Sequence, residues 1–416
     1  MYIGAIADDL TGATDLSLTF SREGMRVLQV VGVPDAKFDF GDADIVVVSL
    51  KSRTIPAAEA IALSVAGAQV LLAGGAQQLF FKYCSTFDST DKGNIGPVID
   101  ALLELLGETR TVACPAFPTN KRTLFKGHLF VGDLLLSDSS MKNHPLTPMH
   151  DANLVRVLQR QTSTPVSLIA RDVVAGSVGQ LEQAFAELRG IAIVDAITDD
   201  DLRAIGRAAK TMRLITGGSG VALGLPANFT GRHAAVAHTQ AVHVPSGGAV
   251  ILAGSCSSAT RRQVAAAIAA GTPSFQLDAF AIAEHRMTVE DVVTFVLSHR
   301  EGNPPLVYSS ANPAVIASVQ DKLGRDASGA LVEDFLAAVA GRLHENGFNK
   351  FLVAGGETSG AVVGALGITA LQIGPEIDPG VPWTRSHGDD CPVALALKSG
   401  NFGSDDFFLK AWELVR

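Results

Sequence analysis

Four short polar segments in the first half of the chain each follow an apolar, strand-like run. They comprise residues 8–15, 51–54, 82–90 and 118–123, and they carry aspartates, hydroxyl groups and basic side chains. The carboxyl ends of parallel strands share one edge of a sheet, and ligands of α/β proteins bind at that edge. Asp and Asn side chains hydrogen-bond hydroxyl groups, whereas Arg and Lys bind a carboxylate. Although each residue alone could be a helix cap or a surface charge, the set favours a site for a polyol acid.

Three glycine- or serine-rich turns follow apolar runs in the second half, at residues 254–260, 355–360 and 398–403. Glycine lets a backbone approach a ligand closely, and the N-terminus of a helix offers free N–H groups to phosphate. Ser and Thr hydroxyl groups can cap such a helix or bind the anion. One such turn is common in any protein, but three in one half of a chain favour a phosphate-binding site.

Two common nucleotide-binding motifs are missing from the sequence. It contains no G-x-x-x-x-G-K-[ST] segment, so the phosphate site is not a P-loop. No G-x-G-x-x-G follows a strand with an acidic residue at the expected distance, and residues 217–220 come nearest. A dinucleotide-dependent enzyme is therefore disfavoured.

The elements that must hold these segments alternate between strand and helix. Strands of a first domain are predicted from apolar runs at 2–7, 44–50, 79–84, 111–117, 166–170, 191–196 and 212–218. Strands of a second domain are predicted at 249–254, 306–310, 350–356, 369–374 and 393–398. Helical periodicity lies between them, as at 57–72 and 95–106, and a further helix is predicted to start near Asp151. This alternation indicates βαβ units. We therefore expect an α/β fold of two domains, each a mostly parallel sheet flanked by helices.

A stretch without sustained periodicity separates the two sets of strands. It contains Pro226, Pro245 and a Ser-Gly-Gly segment, which are typical of a connection between domains. We predict a substrate domain at 1–230, a linker at 231–248 and a phosphate-binding domain at 249–416.

Composition narrows the class of protein. Of the 416 residues 47% are hydrophobic and 18% are charged, which suits buried cores. The net charge of −9 argues against a large nucleic-acid surface. Cys84, Cys114, Cys256 and Cys391 are far apart in sequence, which favours a reducing cytoplasm over a disulfide scaffold or a zinc site. The chain has no secretory signal pattern and no apolar run of ~18 residues, so we expect no membrane segment.

The polar segments together resemble one family, the four-carbon acid sugar kinases. The motifs that carry the resemblance run from Ile6 to about Phe408: IADDLTGATD (6–15), KSRT (51–54), KYCSTFDST (82–90), PAFPTNKRT (115–123), HPLTPM (144–149), TGGSG (216–220), GGETSG (355–360) and KSGNFG (398–403). The HPLTPM and KSGNFG forms are most similar to the 3-oxo-tetronate kinase branch.

The resemblance implies an N-terminal acid-sugar-binding domain and a C-terminal nucleotide-binding domain. It also implies phosphorylation of the C4 hydroxyl of 3-oxo-tetronate by ATP with Mg²⁺, with D-threonate or D-erythronate as the alternative substrate. Its partners would be the small acid sugar and ATP, and the formation of a homo-oligomer is left undecided. Carried over by motif, the nucleotide-binding positions are Ser257, Ser258, Gly355, Gly356, Glu357, Thr358, Ser359, Gly360, Gly400, Asn401 and Gly403.

The same resemblance places Lys51, Arg53, Lys82, Asp88 and Arg122 on the substrate side, together with the paired aspartates. Chemistry alone suggests that Asp8 or Asp9 orients the acceptor hydroxyl and takes its proton, or reaches Mg²⁺. The substrate carboxylate is expected at Lys51, Arg53 or Arg122, and the metal ligands stay unassigned. Two rival classes remain at this point, a dehydrogenase of the acid sugar and a regulator that binds the sugar acid without turnover.

Overall fold

The computed structural model describes residues 1–144, 146–229, 246–309, 325–388 and 391–415, with the side chains of 325–328 left aside. The chain divides into two compact units, Met1–Thr239 and Gln240–Arg416. Each unit is a mostly parallel sheet with helices, so the predicted fold class is confirmed. Residues 231–245 of the predicted linker lie outside the described residues, and the domain boundaries stay a prediction.

The first unit contains eleven strands and seven α-helices among its described residues. The strands are β1 (Ile3–Ala7), β2 (Val27–Val31), β3 (Ile45–Ser49), β4 (Gln78–Lys82), β5 (Arg110–Cys114), β6 (Arg122–Phe125), β7 (His128–Val131), β8 (Leu134–Leu135), β9 (Val166–Ile169), β10 (Gly190–Val194) and β11 (Leu214–Gly217). The helices are α1 (Leu10–Arg22), α2 (Ala57–Ala73), α3 (Ile95–Leu106), α4 (Leu154–Gln159), α5 (Arg171–Val174), α6 (Val178–Glu187) and α7 (Asp199–Ala208).

The main sheet of this unit is parallel throughout, in the order β2-β3-β1-β4-β11-β5-β10-β9. Strands β1, β3 and β4 are buried at every residue. Continuous apolar strands of this kind are typical of parallel sheets that are covered on both faces. Because β1 lies between β3 and β4, the polar loops that follow these three strands share one edge.

A small antiparallel sheet, β6-β7-β8, was not predicted from the sequence. Its first turn places Lys126 and Gly127 at φ +51° and +74°, and its second turn contains Gly132 at φ +61°. Turns with positive φ match the twist of paired strands, and glycine adopts them readily. The strands are only two to four residues long, so their alternation was too short to recognise.

The second unit contains seven strands and six α-helices among its described residues. The strands are β12 (Gly248–Ala253), β13 (Ser274–Gln276), β14 (Leu306–Tyr308), β15 (Phe348–Ala354), β16 (Ala370–Asp378), β17 (Val381–Ser386) and β18 (Ala394–Lys398). The helices are α8 (Ser258–Ala269), α9 (Ala279–Ala283), α10 (Val289–Ser298), α11 (Arg325–Glu345), α12 (Gly356–Ala365) and α13 (Phe407–Lys410).

The strand order in the second unit is β13-β14-β12-β15-β18-β17-β16. Strand β17 runs antiparallel to both of its neighbours, and the remaining pairs are parallel. The core behind β18 includes Trp383 and Trp412, whose rings lie 5.3 Å apart. Trp383 Nε1 donates to Ala411 O at 2.8 Å, which anchors the chain that follows the last glycine-rich turn. Across the described part of the chain, no helix combines the length and apolarity that a membrane span requires.

Candidate functional site

Three aspartates lie around Arg53 at the carboxyl edge of the first unit's sheet. Its Nε and Nη2 atoms donate to Asp8 Oδ2 and Oδ1 at 2.9 and 2.8 Å, and Nη2 also donates to Asp9 Oδ1 at 2.7 Å. Its Nη1 atom lies 3.8 Å from Asp88 Oδ2, which is too long for a hydrogen bond. The loops after β1, β3 and β4 therefore meet, and a single guanidinium group faces three carboxylates.

The two adjacent aspartates have different surroundings. Asp9 caps α1, accepting from Gly12 N at 3.1 Å and from Thr11 Oγ1 at 2.8 Å. Burial opposes its ionisation, but Arg53, Lys82 and these hydrogen bonds together hold the pKa of Asp9 below its ordinary value. Burial raises the pKa of Asp8, and Arg53 offsets only part of that effect. Neighbouring carboxyl groups whose pKa values are pushed apart are typical of a division of roles between a base and a permanent anion.

A strained turn presents the third carboxylate. Phe87 and Asp88 have φ values of +66° and +45°. This region is tolerated by aspartate but costs a phenylalanine free energy. The buried Phe87 ring packs edge-on against Tyr83 with centroids 5.6 Å apart, and Thr86 Oγ1 donates to Asp88 Oδ1 at 2.7 Å. These contacts hold the turn so that Asp88 Oδ2 lies on the side of Arg53.

Lys82 lies beneath the start of α1 rather than at the surface. The residue is 2% exposed, and Nζ donates to Tyr83 O at 3.0 Å. A Cβ atom on Gly12 would lie 3.0 Å from Lys82 Nζ and 2.3 Å from Asp9 Oδ1, so glycine makes room for both groups. In this structure Lys82 balances charge within the aspartate cluster, and its place on the substrate side stays a prediction.

Asp15 and Ser219 are further members of this edge to which the sequence alone assigned no role. Ser219 Oγ donates to Asp15 Oδ2, while Asp15 Oδ1 has no hydrogen-bond partner among the described residues. Burial raises the pKa of Asp15. The signal that could have found it is a carboxylate on the apolar face of α1.

A small pocket opens beside Arg53 and Asp88. Its walls are formed by Asp8, Ser52, Arg53, Phe81, Asp88, Ser89, Asn94, Ile95 and Val98. Asn94 Nδ2 donates to Ser52 O at 2.8 Å and to Ile55 O at 2.9 Å, which fixes the loop after β3. The pocket combines apolar walls with a few convergent polar groups, as is typical of small-molecule sites.

Lys51 and Arg122 are the two remaining residues predicted on the substrate side. Lys51 is exposed beside Ser52. Arg122 begins β6 in the small sheet, where Nη1 donates to Asn120 O. Its buried Nε has no hydrogen-bond partner among the described residues. Both assignments stay predictions.

The three predicted turns of the second unit meet at one edge, because β12, β15 and β18 are adjacent and parallel. Ser255 N donates to Ala354 O at 3.1 Å, and Gly355 N donates to Lys398 O at 2.8 Å. Ser257 Oγ donates to Gly400 O at 2.5 Å. Helices α8 and α12 both begin at this edge, and their N-termini make it favourable for an anion.

The predicted nucleotide contacts differ in exposure. Ser258 and Asn401 are exposed, and Gly356, Glu357, Gly360 and Gly403 are partly exposed. Thr358 and Ser359 are buried, and a Cβ atom on Gly254 would lie 2.1 Å from Thr358 Oγ1. Thr358 therefore packs beneath the glycines, and it can offer a ligand its backbone N–H but not its hydroxyl.

Two buried polar side chains hold the last turn, and neither was given a role of its own from the sequence. Gln263 Nε2 donates to the carbonyl oxygens of Phe402, Gly403 and Ser404 at 3.0, 3.1 and 2.9 Å. Lys398 Nζ donates to Thr260 Oγ1 at 3.1 Å and to Gly400 O at 3.0 Å. The sequence does not indicate that either side chain is buried, since Gln263 lies within a helix and Lys398 ends an apolar run.

Two family models match successive parts of the chain. Residues 3–225 match the model of a sugar-binding N-terminal domain, and residues 250–408 match that of a nucleotide-binding C-terminal domain. A 3-oxo-tetronate kinase of Burkholderia multivorans is 54% identical over 98% of this chain and 96% of its own length. The chain belongs to the four-carbon acid sugar kinase family. Other kinases of this family with the same name are 45% identical in Brucella melitensis, covering 100% of this chain and 96% of that protein, and 42% identical in Haemophilus influenzae, covering 98% of each.

Two solved structures resemble this kinase family member over nearly its whole length. A Salmonella typhimurium protein is 40% identical with a TM-score of 0.85, and the match covers 99% of this chain and 98% of that one. A Haemophilus influenzae protein is 41% identical with a TM-score of 0.78, and the match covers 99% and 100%. The family resemblance that the motifs indicated is thus confirmed by sequence and by fold.

Proposed function

We propose that this protein is an ATP-dependent kinase that transfers a phosphoryl group to the C4 hydroxyl of 3-oxo-tetronate, giving 3-oxo-tetronate 4-phosphate and ADP. The observation that carries the proposal is the 42–54% identity, over nearly the full chain, to relatives named 3-oxo-tetronate kinase. Each unit supports it by itself. The first has a carboxylate and guanidinium cluster suited to a polyol acid, and the second has converging turns suited to a polyphosphate.

The aspartate cluster would bind the hydroxyl groups of the sugar acid. Carboxylate oxygens accept hydrogen bonds from hydroxyls, and Asp8 and Asp88 both line the pocket. Arg53 is already engaged by Asp8 through two hydrogen bonds, so its main role is to orient that carboxylate. Its Nη1 atom remains for the substrate carboxylate, together with Arg122, which the family motif places on the substrate side.

Asp8 is the residue best placed to take the proton of the C4 hydroxyl. Each of its oxygens accepts one hydrogen bond from Arg53 and keeps a second lone pair for the substrate. As the C4 oxygen forms its bond to the γ-phosphorus of ATP, the bond from that phosphorus to the β–γ bridging oxygen breaks. The hydroxyl proton passes to Asp8, and ADP leaves. Phosphoryl transfer depends mainly on such positioning and on charge neutralisation.

The described residues fit a Mg²⁺ ion that arrives with the nucleotide rather than one held by the protein alone. Within the described parts of the chain, no three His, Cys, Asp or Glu side chains form a metal site. Mg²⁺ is commonly bound by one or two carboxylates plus phosphate oxygens, and Asp88, whose Oδ2 lies 3.8 Å from Arg53 Nη1, would supply that ligand here. When bound, Mg²⁺ neutralises negative charge on the phosphates.

An ATP-consumption screen across four-carbon sugar acids tests the proposal. ADP release should depend on 3-oxo-tetronate made in situ, with a kcat/KM at least roughly tenfold above those for D-threonate and D-erythronate. Faster turnover of either tetronate would make that acid the substrate. NAD(P) binding without ATP binding would indicate a dehydrogenase, and acid binding without turnover would indicate a regulator.

Conservative substitutions of Arg53 and Arg122 should affect different kinetic constants. Arg122→Lys removes the fork that suits a carboxylate, so we expect KM for the acid to rise about tenfold while KM for ATP is unchanged. Arg53→Lys also loses the paired contact with Asp8, so kcat should fall as well. Steady-state kinetics with each substrate varied separates these effects. Arg156→Lys, at an exposed ion pair with Asp151, is the matched control and should match wild type. An unchanged acid KM in Arg122→Lys would place the carboxylate elsewhere.

A further inference from the structure

The second unit contains a buried basic group that no step above uses. Lys398 is the last residue of β18, and it is 0% exposed. Its Nζ donates to Thr260 Oγ1 at 3.1 Å, to Ser399 O at 3.0 Å and to Gly400 O at 3.0 Å. All three acceptors are neutral oxygens. Among the residues that the structure describes, no carboxylate forms an ion pair with this ammonium group.

Lys398 contacts two of the nucleotide turns, the one after β12 and the one after β18. Gly400 O accepts hydrogen bonds from Ser257 Oγ, Thr260 Oγ1 and Lys398 Nζ. Ser257 is the N-cap of α8, where its Oγ accepts from Thr260 N at 3.2 Å. The ammonium group therefore links the turn after β18 to the N-terminus of α8, at the edge where α12 also begins.

We propose that Lys398 is a positioning residue of the nucleotide site, which fixes the Ser399–Gly400 turn and supplies a buried positive charge whose counter-ion is the polyphosphate of the bound nucleotide. This inference rests on the proposed kinase function. A buried ammonium without a partner charge costs free energy, and a charge left in that state in the free protein favours an anion that arrives later. Two helix N-termini already make the same edge favourable for phosphate.

We expect nucleotide binding to be linked to the protonation of Lys398. Burial lowers the pKa of Lys398 to about 7. A polyphosphate nearby favours the charged form and raises that pKa. Nucleotide binding should therefore take up a proton above pH 7, and the affinity should fall as pH rises from about 7 towards the pKa in the complex. Below pH 7 the ammonium is already formed, so Lys398 adds no pH dependence there.

Charged groups on the neighbouring elements do not account for the lowered pKa of Lys398, because burial is its cause. These groups are Lys350 on β15, Arg385 on β17, Arg261 and Arg262 on α8, Glu357 on α12, and Asp405 and Asp406 after the turn.

Calorimetry of the full-length protein at pH 8 tests the inference. Mg²⁺-ADP is titrated in two buffers of different ionisation enthalpy, and the number of protons taken up is read from the difference in heat. At this pH the phosphates of the ligand are already ionised, since their second pKa lies near 6. Wild type should take up roughly 0.5–1 proton with Mg²⁺-ADP and none with adenosine, which lacks phosphates. This comparison needs no variant.

Three variants sharpen the test. Lys398→Met should abolish proton uptake and weaken Mg²⁺-ADP about tenfold while adenosine affinity is kept. Lys398→Arg keeps a permanent charge and should bind Mg²⁺-ADP without proton uptake. Lys350→Met, at the opposite end of β15, should behave as wild type. Tight Mg²⁺-ADP binding to wild type without proton uptake would overturn the inference, as would uptake that persists in Lys398→Met. A wild-type protein that binds no nucleotide would instead refute the kinase proposal on which it rests.

Discussion

Asp8→Asn should fold, should bind ATP and should lose roughly 10²–10⁴ of kcat, the usual contribution of a general base. Asparagine keeps the shape of the side chain and one acceptor for Arg53, but it cannot take the C4 proton. The wild-type enzyme should lose kcat/KM on acidification at a higher pH than an ordinary aspartate would cause, because burial raises the pKa of Asp8. Rate measurements across pH, with nucleotide affinity and melting temperature measured beside them, separate this loss from misfolding.

Asp9→Asn is the matched control, one residue away and also in contact with Arg53. Asparagine is as good an N-cap as aspartate, so the melting temperature should change little. We expect kcat to stay within about tenfold of wild type, since Asp9 acts as a cap and a permanent anion. If Asp9→Asn loses more kcat than Asp8→Asn, the two roles are reversed. If both variants keep near-normal kcat, the aspartates are structural, and Asp88 becomes the next candidate for the base.

Gly356→Val should weaken ATP binding by roughly 10²-fold and leave acid-sugar binding intact. Gly356 is the first residue of α12, directly after Gly355, which caps the helix at φ +132°. Charge-assisted hydrogen bonds from this first turn to phosphate are worth about 1.5–3 kcal/mol each, and a branched side chain would occupy the space that the phosphates need. Equilibrium binding of a labelled nucleotide measures the loss.

Gly364→Val makes the same change two turns further along α12. Among the described residues, a Cβ atom there would meet nothing within 4 Å beyond the backbone of its own helix and its chain neighbours, so this variant should fold and bind ATP as wild type does. A nucleotide affinity of Gly356→Val within a few-fold of wild type would show that the phosphates lie elsewhere. An equal loss in both variants would point to damage of the helix rather than of the binding turn.

Local sequence was sufficient to predict the edges of both sheets. Asp8, Arg53 and Asp88 each follow a continuous apolar run, and such runs form adjacent buried strands in a parallel sheet. The same logic placed the turns after β12, β15 and β18 together. Strand β17 was missed because Val381–Ser386 contains Pro382 and Arg385 and lacks a clear apolar run.

The side-chain partners inside each site could not be predicted in the same way. The assignment of Arg53 to the substrate carboxylate stays a prediction, while its pairing with Asp8 spans 45 positions and is created only by the fold. Thr358 was assigned to the ligand from its motif, and only the structure shows that its hydroxyl packs beneath Gly254. Lys398 begins the third predicted turn, but only the structure shows that its side chain is buried.

Phosphoryl transfer from ATP to the C4 hydroxyl of 3-oxo-tetronate can be observed directly by ³¹P NMR of a complete reaction with Mg²⁺-ATP. We expect ADP and one new phosphate ester in equal amounts, and the ester signal should be split into a triplet by the two protons on C4. Asp8→Asn in the same tube should give little of this ester. Release of inorganic phosphate alone, or an ester signal split into a doublet by a single proton, would contradict the account.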